Sequence, residues 1–241
     1  MPMVKHPQPD YEAAFIDHHY RDSDDGGDPA VDDAVRWARD RTKLGAIGVV
    51  APGTSDFRDT PNLRELAGDI HRISSRGARG VTEAVAVVCW PDEKTLDTID
   101  AWSKNLKALC VVRGDVPAIE AWRRARHAVD LLQPDAEQLP LQLDPLVRAA
   151  LDGLNGAVDP GDRGDCIRAL QRLRDEGYNF EPMAVKVWAM THGWRADHAR
   201  ELTEIAQQVI DGHQFRTRGA TELSSDITEI WGRRAQEGVG Q

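Results

Sequence analysis

The chain has 241 residues, of which 41% are hydrophobic and 29% charged, and its formal net charge is −10 at pH 7. These values are typical of a folded globular protein and exclude global disorder, and the length allows one large domain or two modest ones. The negative charge opposes nonspecific attraction to nucleic acid and to anionic lipid, so we do not expect nucleic acid among the partners.

The sequence shows no membrane-spanning run, no secretory signal and no cysteine pair. The longest apolar runs, such as residues 81–90, are too short to cross a bilayer, and residues 1–10 lack the apolar segment of a secretory signal. Cys89, Cys110 and Cys166 are widely spaced and form no C-x-x-C pair, which favours buried thiols over zinc or redox chemistry. We expect a cytoplasmic protein without a membrane partner.

The N-terminal segment is strongly acidic. Residues 1–33 contain nine Asp and Glu against two Lys and Arg, a net charge of −7. Within this segment the sequence YEAAFIDHH predicts a first strand that ends near Asp17. Asp28-Pro29 then predicts the start of a helix, because Asp is a preferred N-cap and Pro a preferred first residue.

Four further apolar runs are typical of strands buried on both faces; they lie at 44–51, 81–90, 106–112 and 127–132. Apolar residues at helical spacing lie between these runs, and the first such segment carries Leu63, Leu66, Ala67, Ile70 and Ile73. Thr60-Pro61, Asp92 and Asp115 predict helix starts. Alternating strands and helices predict an α/β fold with a five-stranded Rossmann-like or flavodoxin-like parallel sheet.

The last third of the sequence has a different pattern. Residues 133–144 are rich in proline and acids and predict a linker between an α/β domain at 1–132 and a small all-helical C-terminal domain at 145–241. Asp144-Pro145 predicts the first helix of that domain, and Gly177, Gly193 and Gly212 predict helix ends. A final amphipathic helix is indicated by Leu223, Ile227, Ile230 and Trp231.

Candidate site residues follow the predicted strands. Ligands of open α/β sheets bind outside the carboxyl ends of the strands, where the loops and the helix N-termini meet. Carboxylates and histidines in these loops could hold Mg²⁺ or Mn²⁺, and the predicted ligands are Asp17, His18 and Asp56. Alternatively, Asp28, Asp92 and Asp115 stand where helix caps are expected.

A family resemblance supports the metal interpretation. Asp17-His18-His19 is similar to the motif that names the DHH phosphoesterase family, which implies a divalent-metal phosphoesterase or nuclease. The resemblance covers three residues, and the Asp-x-Asp motif expected on an earlier strand of that family has no counterpart in residues 1–16.

The loop after the second predicted strand suggests a different ligand. Gly53, Thr54 and Ser55 could hold an anion through the backbone, near a predicted helix start. Further candidate ligand-binding residues at the same edge are Asp92, Arg113 and Asp115. No G-x-G-x-x-G and no G-x-x-x-x-G-K-[ST] occurs, so neither the usual dinucleotide fingerprint nor a P-loop is present.

Part of the helical region has the spacing of a helix-turn-helix. Ala189 and Gly193 have the Ala-x-x-x-Gly spacing seen around the turn of such units. The second helix, however, would carry Asp197, Glu201 and Glu204, whose charge opposes docking onto phosphates. An ordinary helical hairpin is the favoured interpretation.

Three functional hypotheses follow. The first is a cytoplasmic ligand-binding or regulatory protein, with a small anionic or nucleotide-like ligand at the carboxyl edge of the sheet and a helical module for regulation or assembly, including a homo-oligomer. The second is the divalent-metal phosphoesterase or nuclease. The third is a non-catalytic interaction module, for which an exposed apolar patch, for instance around Trp231, would be expected.

Overall fold

The computed structural model describes residues 9–17, 28–42, 45–66, 68–76, 80–114, 119–136, 141–154, 162–215 and 223–238. They form two compact units, one within Pro9–Leu139 and the other within Pro140–Gln241. No described helix is long and apolar enough to cross a membrane.

A parallel sheet of six strands organises the first unit. In chain order the strands are β1 (Glu12–Asp17), β2 (Ile47–Ala51), β3 (Ile70–Ser74), β4 (Val85–Cys89), β5 (Ala108–Arg113) and β6 (Val129–Asp130), and their order in the sheet is β3-β2-β4-β5-β1-β6. Every pairing is parallel, which confirms the predicted α/β fold. All residues of β2 and β4 are buried, as expected for strands covered on both faces.

The described part of this unit contains five helices: α1 (Pro29–Arg41), α2 (Asp56–Asp59), α3 (Pro61–Arg64), α4 (Glu93–Trp102) and α5 (Glu120–Ala125). The long helix α1 packs against β4 and β5 and buries Val31, Ala34 and Val35. Three of the predicted helix starts are confirmed: α3 begins at Pro61 directly after Thr60, and Asp28 and Asp92 cap α1 and α4 through their carboxylates.

The helix predicted from Leu63 to Ile73 is wrong beyond Arg64. Instead, α3 ends after four residues, and Ile70 and Ile73 lie in β3, the sixth strand that the sequence did not predict. Gly68 adopts a left-handed conformation with φ of 97°, which stops a helix between the two elements. Because an i, i+3 pair of isoleucines fits either structure, the local pattern could not distinguish them.

A buried polar cluster joins α4 to the start of β1 and the end of α5. Arg126 donates from Nε and Nη2 to the two oxygens of Asp100 at 2.8 and 2.7 Å. Tyr11 donates its hydroxyl to Asp100, and Trp122 Nε1 donates to the Tyr11 oxygen at 2.7 Å. Burial and the nearby Asp100 charge raise the pKa of Tyr11 well above its usual value, so the phenol stays a donor.

The second unit is helical in all its described elements: α6 (Pro145–Asp152), α7 (Asp162–Asp175), α8 (Pro182–Thr191), α9 (Ala196–Ile210) and α10 (Ile227–Gly238). Helix α9 packs against α8 and α7, and α10 packs against α6. Asp144 caps α6 as predicted, accepting a hydrogen bond from the Leu146 amide at 2.8 Å. Trp231 is 3% exposed, so it contributes no exposed apolar patch.

The link between α8 and α9 is short, comprising residues 192–195. Gly193 lies in it with φ of 87°. Arg195 pairs with Asp197, and Arg200 donates to Glu204 at 2.8 Å, so acids of α9 neutralise its arginines. The exclusion of nucleic acid stays a prediction, and this charge pattern agrees with it.

Gly177 provides a test of the helical unit. Its φ is 84°, and a Cβ placed there would have no atom within 4 Å, so only backbone conformation opposes a side chain. We expect Gly177→Ala to lower the free energy of unfolding by about 1 kcal/mol, the cost of a left-handed L-residue. Gly177→Asn should cost less, because Asn tolerates this conformation. Urea unfolding of the three proteins measures both values, and an equal or larger loss for Asn would contradict the argument.

Candidate functional site

The sheet topology creates a crevice between β2 and β4. From β2 the chain moves outward to the edge strand β3, whereas from β4 it moves in the opposite direction to β5. Since crossovers are right-handed, these two connections leave on opposite faces of the sheet. Such a switch point is where open α/β sheets bind ligands.

A cleft of about 330 Å³, counted with its open mouth, occupies this position. Its walls come from the carboxyl ends of β2, β3 and β4 and from the first turn of α4. They include Ala51, Pro52, Ser75, Trp90, Asp92 and Thr95. The cleft therefore combines apolar surface with hydroxyl groups and a helix N-terminus.

Trp90, directly after β4, has an unusual backbone. Its φ is 48°, a conformation that large L-residues rarely adopt. Two hydrogen bonds hold it there: its amide donates to the Val112 carbonyl at 2.8 Å, and its indole Nε1 donates to Asp28 Oδ2 at 3.2 Å. Strained residues that persist in this way cluster at functional sites.

Asp28 connects this residue to α1. Its carboxylate is buried, with 3% of the residue exposed, and its Oδ1 accepts a hydrogen bond from the Ala30 amide at 3.0 Å. One side chain thus caps α1 and fixes the indole beside the cleft. Asp28 was predicted as a cap, and no local pattern indicated its second partner.

At the start of α4, Asp92 Oδ1 accepts a hydrogen bond from the Thr95 amide at 2.7 Å. Asp92, which we predicted as ligand-binding, is therefore both a helix cap and a residue of the cleft wall. Across the cleft, the Ser75 hydroxyl donates to the Pro52 carbonyl at 3.1 Å. Burial raises the pKa of the nearby Cys89 thiol far above its usual value, so this thiol does not provide a nucleophile.

The loop after β2 is closed by its own aspartate. Asp56 Oδ2 accepts a hydrogen bond from the Gly53 amide at 2.6 Å, and the Asp56 amide donates back to the Gly53 carbonyl. The Gly53 amide, predicted to hold an anion with Thr54 and Ser55, is thus engaged by Asp56. Pro52, one residue earlier, is the part of this loop that reaches the cleft wall.

Asp17 and Arg113 face each other at the carboxyl ends of β1 and β5. They are direct register partners, and Arg113 Nη2 donates to Asp17 Oδ2 at 2.7 Å while its Nε lies 2.7 Å from Oδ1. Both side chains are about one-third exposed. The ion pair neutralises the carboxylate that we predicted as a metal ligand.

The predicted metal ligands are not brought together in the described residues. Two strands, β4 and β5, separate β1 from β2, which places the ends of β1 and β2 about 14 Å apart. Asp56 stays near the end of β2 through its bond to Gly53. Among the described residues no group of three or more His, Cys, Asp and Glu could hold a metal ion. His18, His19 and Asp115 lie outside those residues, so the metal site stays a prediction.

Sequence reasoning missed Trp90, Ser75 and Thr95 as cleft residues. The position of Trp90-Pro91 directly after a buried strand was the available indication that Trp90 lies at the carboxyl edge of the sheet. Ser75 could not be found, because it follows the strand that was predicted as a helix.

Comparison with known proteins gives one similarity. Residues 143–232, less than half of the chain, match a family whose description is "Domain of unknown function (DUF1889)". No curated protein and no solved structure matches the chain. The helical unit is therefore similar to a domain found in other proteins, and the match does not extend to the α/β unit that holds the cleft.

Proposed function

We propose that this protein binds a small anionic or nucleotide-like ligand in the cleft between β2 and β4, in a ligand-binding or regulatory role. The observation that carries the proposal is the strained Trp90, held by Asp28 at a topological switch point. A bulky residue in this conformation costs stability, and the protein retains it beside a cleft.

The walls of the cleft favour this class of ligand. The Thr95 hydroxyl lies in the cleft wall and can donate to an anionic group. The Asp92 carboxylate caps α4 through the Thr95 amide and can accept from the sugar hydroxyls of a nucleotide. Apolar surface from Ala51, Pro52 and Trp90 suits a ring system. The space inside the cleft that a water-sized molecule can reach is about 100 Å³, below the roughly 300–1,000 Å³ of most ligand pockets, so the cleft can hold one part of a mononucleotide and not a whole dinucleotide.

Two threonines of α4 provide a matched test. Both are partly buried, but Thr95 lines the cleft whereas Thr98, one turn later, does not. We expect AMP or ADP, without added metal, to raise the melting temperature of the wild-type protein, because a ligand of the folded state stabilises it by mass action. Thr95→Tyr, which fills the cleft, should abolish the rise, and Thr98→Tyr should retain it.

The same melting-temperature titration distinguishes the nucleotide-binding proposal from a simple anion site and from a metal phosphoesterase. Inorganic phosphate alone giving the full rise would identify a simple anion site. A rise with Mg²⁺ or Mn²⁺ alone, lost in Asp17→Asn, would support the metal phosphoesterase in place of our proposal. No rise with any nucleotide or phosphate, or an equal rise in Thr95→Tyr, would overturn the cleft as the binding site.

A further inference from the structure

His71 and Glu83 form an isolated pair near the amino end of the sheet. His71 is on the edge strand β3, and Glu83 lies two residues before β4. The His71 Nδ1 atom is 2.5 Å from Glu83 Oε1, although the two residues are twelve apart in sequence. The imidazole is 63% exposed and the carboxylate side chain only 6% exposed.

The Glu83 carboxylate is held in place by hydrogen bonds and by the space above Gly48. Its Oε2 accepts a hydrogen bond from the Thr82 amide and its Oε1 one from the Thr82 hydroxyl, both at 3.1 Å. On the neighbouring β2, a Cβ at Gly48 would lie 3.0 Å from Glu83 Oε2. Gly48 therefore leaves the space that this carboxylate fills, which explains a glycine inside a buried strand.

The ionised state of Glu83 determines which nitrogen of His71 carries a hydrogen. Burial by itself raises the pKa of Glu83, but the hydrogen bonds from His71, Thr82 and the backbone outweigh it and hold this pKa below its usual value. An ionised carboxylate only accepts hydrogen bonds, so Nδ1 of His71 carries a hydrogen in either charge state. The contact is therefore a neutral hydrogen bond when His71 is uncharged and an ion pair when it is protonated.

We propose that His71 and Glu83 form a pH-dependent latch that holds the edge strand β3, and with it the Ser75 wall of the cleft, against the rest of the sheet. Within the described residues β3 pairs with β2 alone, so side-chain contacts matter more for it than for a central strand. Ser75 directly follows β3, and its amide donates to the Ala51 carbonyl at 2.9 Å.

Asp69 and Arg72 are the charged residues within two positions of His71, and Asp69 is exposed. The neighbouring strand β2 consists of isoleucine, glycine, valine and alanine and has no titratable group. The segment before β4 contributes Glu83 itself. On β3 the adjacent Arg72 donates to the Arg64 carbonyl at 3.1 Å and faces α3. Among these side-chain types, histidine is the one whose charge ordinarily changes between pH 5 and 8.

Hydrogen exchange of a peptide covering residues 70–75 tests the latch without any ligand. Wild type and His71→Gln are compared at the same pH, so the intrinsic pH dependence of exchange cancels. Gln keeps a donor but cannot become charged. We expect exchange in the wild type to be about twofold to fivefold slower than in His71→Gln at pH 5.5, the effect of one partly exposed ion pair, and the difference to shrink at pH 8.5.

Two further variants make the result specific. Glu83→Gln should remove the pH-dependent protection as well, whereas Arg72→Gln, a charge change on the next residue, should alter exchange equally at both pH values. If the exchange rate of wild type relative to His71→Gln is the same at pH 5.5 and at pH 8.5, the latch is overturned. The regulatory meaning of the latch rests on the proposed function. Failure of nucleotide binding would leave the exchange result intact, and failure of the latch would leave a nucleotide-dependent melting shift intact.

Discussion

Replacing Asp100 with alanine is expected to lower the free energy of unfolding by about 3–5 kcal/mol, the largest single effect that we predict. Asp100 and Arg126 have side chains only 0% and 3% exposed, and their contact is bidentate. Burial by itself lowers the pKa of Arg126, but Asp100 more than reverses this, so the guanidinium stays charged. Without Asp100 a charged group would remain buried without its carboxylate. Urea unfolding followed by circular dichroism measures the loss.

The double variant Asp100→Leu/Arg126→Met is the control for this prediction. Replacing both members of a buried ion pair by apolar residues is often neutral, so the double variant should recover much of the stability lost in Asp100→Ala. Tyr11→Phe removes only one hydrogen bond to Asp100 and should cost less than Asp100→Ala. If the double variant is as unstable as the single one, the loss comes from packing and the electrostatic explanation is wrong.

Asp28→Ala is expected to have the second largest effect, about 1.5–5 kcal/mol on the free energy of unfolding. Loss of an N-cap costs about 0.5–2 kcal/mol, and leaving the indole N–H of Trp90 without this acceptor adds about 1–3 kcal/mol. Both contacts depend on one carboxylate, whose Oδ1 and Oδ2 accept from Ala30 and Trp90 respectively. Since Asp28 also fixes Trp90, Asp28→Ala should weaken nucleotide binding in the melting assay.

A double-mutant cycle separates the two parts of this effect. Trp90→Phe removes the indole donor, so Asp28→Ala should cost less in the Trp90→Phe background than in the wild type. Asp28→Asn, which keeps one acceptor oxygen, should be intermediate. Additive costs for Asp28→Ala and Trp90→Phe would show that the hydrogen bond between them contributes nothing measurable.

The α/β fold was predictable because several of its signals are local. β2 and β4 are buried on both faces, so each appears as a continuous apolar run such as IGVVA or VAVVC. Asp28-Pro29 and Asp144-Pro145 start helices through contacts within two residues. Strand β3 escaped prediction because an edge strand is covered less, and its burial pattern does not form an apolar run.

The candidate site was predictable only in its general location. The carboxyl edge follows from the parallel fold, but the position along that edge depends on strand order, which no local pattern encodes. Asp17 and Asp56 follow consecutive strands in the chain, yet β4 and β5 lie between those strands in the sheet. Arg113 is a partner of Asp17 because β5 inserts beside β1.

The sequence by itself thus determined the class of fold, the helix caps and the helical character of the C-terminal region, because apolar periodicity and capping act over a few residues. The tertiary structure decided which strands are neighbours, and therefore that Trp90 meets Asp28, Arg113 meets Asp17 and His71 meets Glu83. These pairs are separated by 62, 96 and 12 residues. Contacts at such distances are set by packing of the whole sheet, which a local pattern cannot specify.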